Sequence, residues 1–83
     1  MNYSIQWIAT DSETAVVREH EDGQGFGDPY TWVITVEKIG TLAKLHGTLG
    51  APRRIKQLAI FLRSQGFTEV SWVHAGRQLT YRL

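Results

Sequence analysis

Residues 52–67, PRRIKQLAIFLRSQGF, decide how the rest of the chain is read. Ile55, Leu58, Ala59 and Leu62 fall at i, i+3, i+4 and i+7, so they line one face of a helix. Ile60 and Phe61 widen that stripe. Pro52 suits a first helical position, where its missing N–H is not needed. Gly66 stands where a left-handed C′ residue ends a helix, and Leu62 and Phe67 are spaced as the apolar pair of a Schellman stop. The spacing predicts one helix over 52–65.

Outward from the helix the period changes from 3.6 to 2. Residues 67–74 (FTEVSWVH) and 77–83 (RQLTYRL) alternate, and Ala75-Gly76 between them reads as a two-residue turn. Leu79, Tyr81 and Leu83 fall on the inward side of the last segment. On the N-terminal side, residues 42–49 (LAKLHGTL) and 30–39 (YTWVITVEKI) read as strands joined at Gly40-Thr41. Apolar residues on both faces of 30–39 mark it as central. Residues 14–20 (TAVVREH) and 3–9 (YSIQWIA) alternate as well, with Asp11-Ser12-Glu13 as a polar turn between them. The stretch EDGQGFGDP, 21–29, is too polar and glycine-rich for an element and reads as a loop. The resulting order β-β-β-β-α-β-β predicts one α+β domain over residues 1–83, with a mainly antiparallel twisted sheet packed against one main helix. Leu58, Leu62, Trp32, Ile34, Val36, Val70 and Trp72 are the expected core.

The composition closes several routes. The chain has 83 residues and no cysteine, so disulfides and thiolate metal sites are excluded. His20, His46 and His74 lack metal-ligand spacing, and no metal site is expected. No apolar run reaches the roughly 20 residues of a membrane span, and the first residues lack a signal-peptide pattern. The expectation is a cytoplasmic protein with no membrane partner. The net charge of +1 conceals a split. Residues 1–37 carry seven acids and one base, and residues 38–83 carry eight bases and one acid. Within one domain these halves are expected to neutralise each other across neighbouring strands.

Four features invite a functional reading. Gly23, Gly25 and Gly27 resemble a phosphate cradle, but a strand follows them rather than a helix N-terminus, and Glu21, Asp22 and Asp28 would repel phosphate. A hairpin connection is the plainer reading; a loop that covers a ligand with Phe26 and Tyr30 is the other. The helix entry, Leu49, Gly50, Ala51, Arg53 and Arg54, sets two guanidinium groups beside free helix N–H groups and suits an anion such as a pyrophosphate. Arginines there also oppose the helix dipole. Arg53, Arg54, Lys56, Arg63, Arg77 and Arg82 with Trp72 and Tyr81 would suit nucleic acid, although Trp72 sits in a core pattern and the pI is only about 8.2. Each histidine reads as a surface or half-buried strand residue, and no nucleophile motif or carboxylate pair assigns a catalytic residue.

Residues 31–74 resemble the core of GNAT-type N-acetyltransferases, with two antiparallel strands leading into a helix and then a strand. The stretch IKQLAIFLRSQGFTEVSWV, 55–73, is similar to that family's acetyl-CoA-binding helix and following strand, most closely at Gln65, Gly66, Phe67 and Val70. The resemblance implies a truncated GNAT-like fold with the cofactor pyrophosphate at Leu49–Arg54. Where the family has Gln/Arg-x-x-Gly-x-Gly/Ala, this chain has Gly47-Thr48-Leu49-Gly50-Ala51-Pro52. The expectation is therefore a small non-enzymatic binding module without cofactor, of a kind found in phages and mobile elements. Its partner is a protein, or a second copy, held at a sheet edge. A minimal acyl-CoA-binding protein or acetyltransferase using acetyl-CoA is the alternative, and a nucleic-acid-binding domain is the second.

Overall fold

A computed structural model of the chain describes residues 2–8, 11–46 and 55–83. The elements are β1 (Asn2–Ile8), β2 (Asp11–His20), β3 (Trp32–Ile39), β4 (Leu42–His46), α1 (Ile55–Ser64), β5 (Glu69–His74) and β6 (Arg77–Arg82). The fold is α+β, a mixed six-stranded sheet in the order β1-β2-β3-β4-β5-β6 with one helix. Every neighbouring pair is antiparallel except β4–β5, which is parallel and spans α1.

The helix ends as its sequence dictates. Phe67 N–H donates to the Leu62 carbonyl at 3.2 Å and Gly66 N–H to the Arg63 carbonyl at 3.0 Å. With Gly66 at φ +94°, these are the two bonds of a Schellman stop. The stop turns the chain directly into β5. At the next reversal Ala75 and Gly76 both have positive φ, +51° and +78°, which is the type I′ geometry that suits a right-twisted hairpin.

Period two sorts the sheet into faces. Tyr3, Ile5 and Trp7 of β1, Ala15, Val17 and Glu19 of β2, and Trp32, Ile34 and Val36 of β3 share the helix face. Ala43, Leu45, Val70, Trp72, Leu79 and Tyr81 continue it across β4 to β6. Leu58 and Leu62 press onto this face beside Val17, Ile34, Val36, Leu45, Phe67 and Val70, and all of these are buried. Burying one such aliphatic side chain contributes about 1.5–3 kcal/mol.

The sequence expectations need four corrections. Asp11-Ser12-Glu13 is not a turn but the start of β2, because a register shift between Trp7 and Ile8 brings Ile8 opposite Asp11. Trp32 and Trp72 pack against the core only half-buried. Ile60 points away from the core and is 66% exposed, since the stripe of α1 is narrower than its composition implies. Tyr81 lies on the inward face yet is 53% exposed, because it stands near the edge of the sheet. The predicted ends at 47–49 and 52–54 lie outside the described residues.

Candidate functional site

Three arrangements stand out, and the sequence pointed clearly to none of them. The first is a cleft of about 310 Å³ between α1 and the β5–β6 end of the sheet. Leu45, Leu58, Leu62, Val70, Trp72 and Leu83 make its apolar wall, and Lys56 and Arg82 stand among its lining. Trp72 and Tyr81 stack there, with ring centroids 5.1 Å apart and planes at 16°. The cleft lies where the sheet loosens. The β4–β5 register runs only from Leu42 opposite Glu69 to Lys44 opposite Ser71, so the last residues of both strands run on beyond their pairing. Concave apolar walls with a few charged groups are the usual form of a ligand or peptide site.

The second lies on the opposite face. Ser4 Oγ is 2.7 Å from His20 Nε2, and His20 Nδ1 is 2.9 Å from the Pro29 carbonyl. A carbonyl only accepts, so Nδ1 carries the proton and Nε2 accepts from the Ser4 hydroxyl. The layout matches a nucleophile, a base and an orienting group. However, His20 is fully buried and Ser4 is 8% exposed. A substrate carbonyl has no route to Ser4 Oγ, so this cluster ties the 21–30 loop to β1 and β2. Asn2 Nδ2 adds a bond to the Gln24 carbonyl at 2.7 Å. His20 thus departs from the expected surface or half-buried histidine, because loop residue Pro29 supplies its second partner.

The third is Glu19, 2% exposed on the helix face. Its carboxylate accepts from the Tyr3 hydroxyl at 2.7 Å and lies 3.3 Å from the Thr31 hydroxyl. These bonds fasten β1 and the start of β3 to β2. Period two gives one usable signal here, since Glu19 has the parity of Ala15 and Val17 and is therefore an inward-facing acid. The same parity says nothing about its partners. Beside it, Trp32 Nε1 is buried without a hydrogen-bond partner, as is Ser71 Oγ in β5.

The sequence-derived anion site, Leu49, Gly50, Ala51, Arg53 and Arg54, lies outside the described residues. The loop aromatics Phe26 and Tyr30 are exposed at 68% and 52%, and Arg18 lies 5.5 Å from the Tyr30 ring centre. Strand order follows chain order, so acidic β2 lies toward one end of the sheet, inside uncharged β1, and basic β6 forms the other end. The halves meet at β3–β4, where Glu37 stands opposite Lys44. Glu37 Oε1 also lies 3.0 Å from His46 Nε2 on the exposed face. Among the described residues no three His, Asp or Glu side chains cluster to hold a metal ion. No helix of the described residues is long and apolar enough to cross a membrane.

Compared with protein-family models, curated proteins and solved structures, the chain matches none.

Proposed function

We infer that the chain is a non-enzymatic interaction module that takes an extended, acidic segment of a partner protein along β6. One observation carries this reading. The apolar cleft opens beside an edge strand, and the cations Lys56 and Arg82 border it. Strand addition gains affinity from main-chain hydrogen bonds and specificity from pockets that receive alternate side chains. Here the main-chain row is the side of Arg77–Arg82 that pairs with no strand among the described residues, and the pocket is walled by Trp72, Val70 and Leu62. Arg77 and Arg82 favour acidic residues opposite them. The test is a titration of the isotopically labelled chain with a synthetic peptide of about six residues alternating leucine and aspartate. Amide shifts are expected in residues 77–82, at Leu45 and at Trp72. Silence at those positions at millimolar peptide would sink the reading.

A second reading is favoured by the short parallel pairing of β4 and β5. It keeps the GNAT resemblance and places an acyl thioester in the same cleft, with Leu49, Gly50, Ala51, Arg53 and Arg54 at the pyrophosphate. Acetyl-CoA in place of the peptide separates the two, since it would move residues 47–55. Binding to single- or double-stranded nucleic acid that weakens steeply with salt would instead favour a nucleic-acid surface.

A further inference from the structure

Strand β1 reads NYSIQWI and has neither a charged residue nor a proline. It pairs with β2 along one side and, among the described residues, with no strand on the other. Natural edge strands usually carry lysine, proline or a bulge that prevents pairing with another chain. The one irregularity here is the register shift at Trp7/Ile8, at the far end of the strand.

The order of residues in β1 is self-complementary. An antiparallel copy set with Ile5 opposite Ile5 brings Tyr3 opposite Trp7 and Ser4 opposite Gln6. Aromatic then meets aromatic on the helix face, a pairing that stabilises a ladder, while on the other face Ser4 meets Gln6 and Asn2 meets Ile8. The same operation on β6, centred on Leu79, sets Arg77 opposite Tyr81 and Gln78 opposite Thr80, since residues opposite one another in a ladder share a face. β1 brings no charge to such a pairing, whereas β6 brings Arg77 and Arg82 from each copy.

The helix adds an independent observation. A groove of about 590 Å³ lies at the start of β1, bounded by Asn2 and Tyr3, by loop residues Gln24 and Gly25, and by Ile60 and Phe61 of α1. This flank of the helix is uncharged too, and it presents Ile60 at 66% exposure. We propose that the chain forms a two-fold dimer in which the β1 strands pair antiparallel about Ile5 and the Ile60 flanks of the two helices close over the groove. The two sheets then become one, and each copy uses the same patch, as in the commonest closed dimers. The β6 cleft stays free, so this dimer does not depend on the peptide reading.

The absence of cysteine gives a clean experiment. Ile5→Cys places one thiol at the two-fold, and mild oxidation is expected to give a species of twice the 9.4 kDa chain mass. Gln78→Cys on β6 is expected to stay single. Ile60→Lys changes an exposed side chain and leaves the core intact. It is expected to raise the dimer Kd by about tenfold or more in sedimentation equilibrium. A wild-type chain that sediments as a monomer at the oxidation concentrations would overturn the proposal. So would equal cross-linking of Gln78→Cys, or a Kd that ignores Ile60→Lys. A mass that grows without limit would also overturn it, because it marks head-to-tail contact of β1 with β6.

Discussion

Among the described residues, strands β1 and β6 stand at the two ends of the sheet and each pairs with one neighbour, yet they are built differently. β1 is uncharged and tied into the core. Tyr3 stacks on Phe61 with ring centroids 5.5 Å apart, and Trp7 on Phe67 at 6.4 Å. The Tyr3 hydroxyl reaches buried Glu19, and Ser4 reaches buried His20. β6 is basic at both ends and thinly covered, and its main aromatic contact is Tyr81 on Trp72. The helix explains the difference. α1 leaves space at both ends, but at the β1 end its Phe61 stacks on Tyr3, whereas at the β5–β6 end the aromatic stack is between the strands, Trp72 on Tyr81. One end of the sheet is a packed edge with a neutral face to offer, and the other is an open edge with charge to select a ligand.

The largest expected effect tests whether the two ends differ in packing at all. Phe67 is 3% exposed and supports Trp7, while Tyr81 is 53% exposed. Phe67→Ala is expected to destabilise the chain by about 3–5 kcal/mol, the range for truncating a buried aromatic. Tyr81→Ala should remove little beyond a stacking contact, about 0.5–1.5 kcal/mol. Chemical denaturation of both variants decides it. Equal losses would mean that β6 is as much part of the core as β1.

The next effect concerns polar anchoring. Ser4→Ala leaves the Nε2 of a fully buried His20 without its donor. Stranding one buried partner costs about 1–3 kcal/mol. Because His20 also holds the Pro29 carbonyl, amide exchange in residues 21–30 should rise along with the loss of stability. Unchanged loop exchange would show that the loop is held by Asn2 and its own turns instead.

This polar anchoring also marks where the sequence stopped being legible. The helix stop was readable because Leu62, Gly66 and Phe67 are local and each has one geometric role. The strands were readable because period two is local as well. The Ser4–His20 pair was not, because it depends on β1–β2 register and on a loop residue nine positions further on. The turn at 11–13 failed for a related reason: polar residues look alike in a turn and at the start of a strand after a register shift. The cleft was invisible because it arises from how far a ten-residue helix reaches across six strands. The charge split was plain in the sequence, but its meaning needed the strand order. In chain order the halves meet at β3–β4, with Glu37 opposite Lys44, and β6 carries Arg77 and Arg82 at the edge, Arg82 opposite Glu69.

The smallest expected effect strengthens the weaker end. Ala75 sits at φ +51°, a left-handed conformation that costs an ordinary side chain roughly 1–2 kcal/mol. Asparagine tolerates that region, and Asn-Gly is the preferred pair for this turn type. Ala75→Asn should therefore stabilise the chain by about 0.4–1 kcal/mol. The gain should fall on the β5–β6 hairpin, where His74 faces Arg77 across the turn. Exchange of the β6 amides should slow while that of β1 stays the same, because β1 is limited by opening of the core and β6 by local fraying. If β1 and β6 slow together, the two edges open in one cooperative step, and the contrast between them is one of surface chemistry alone.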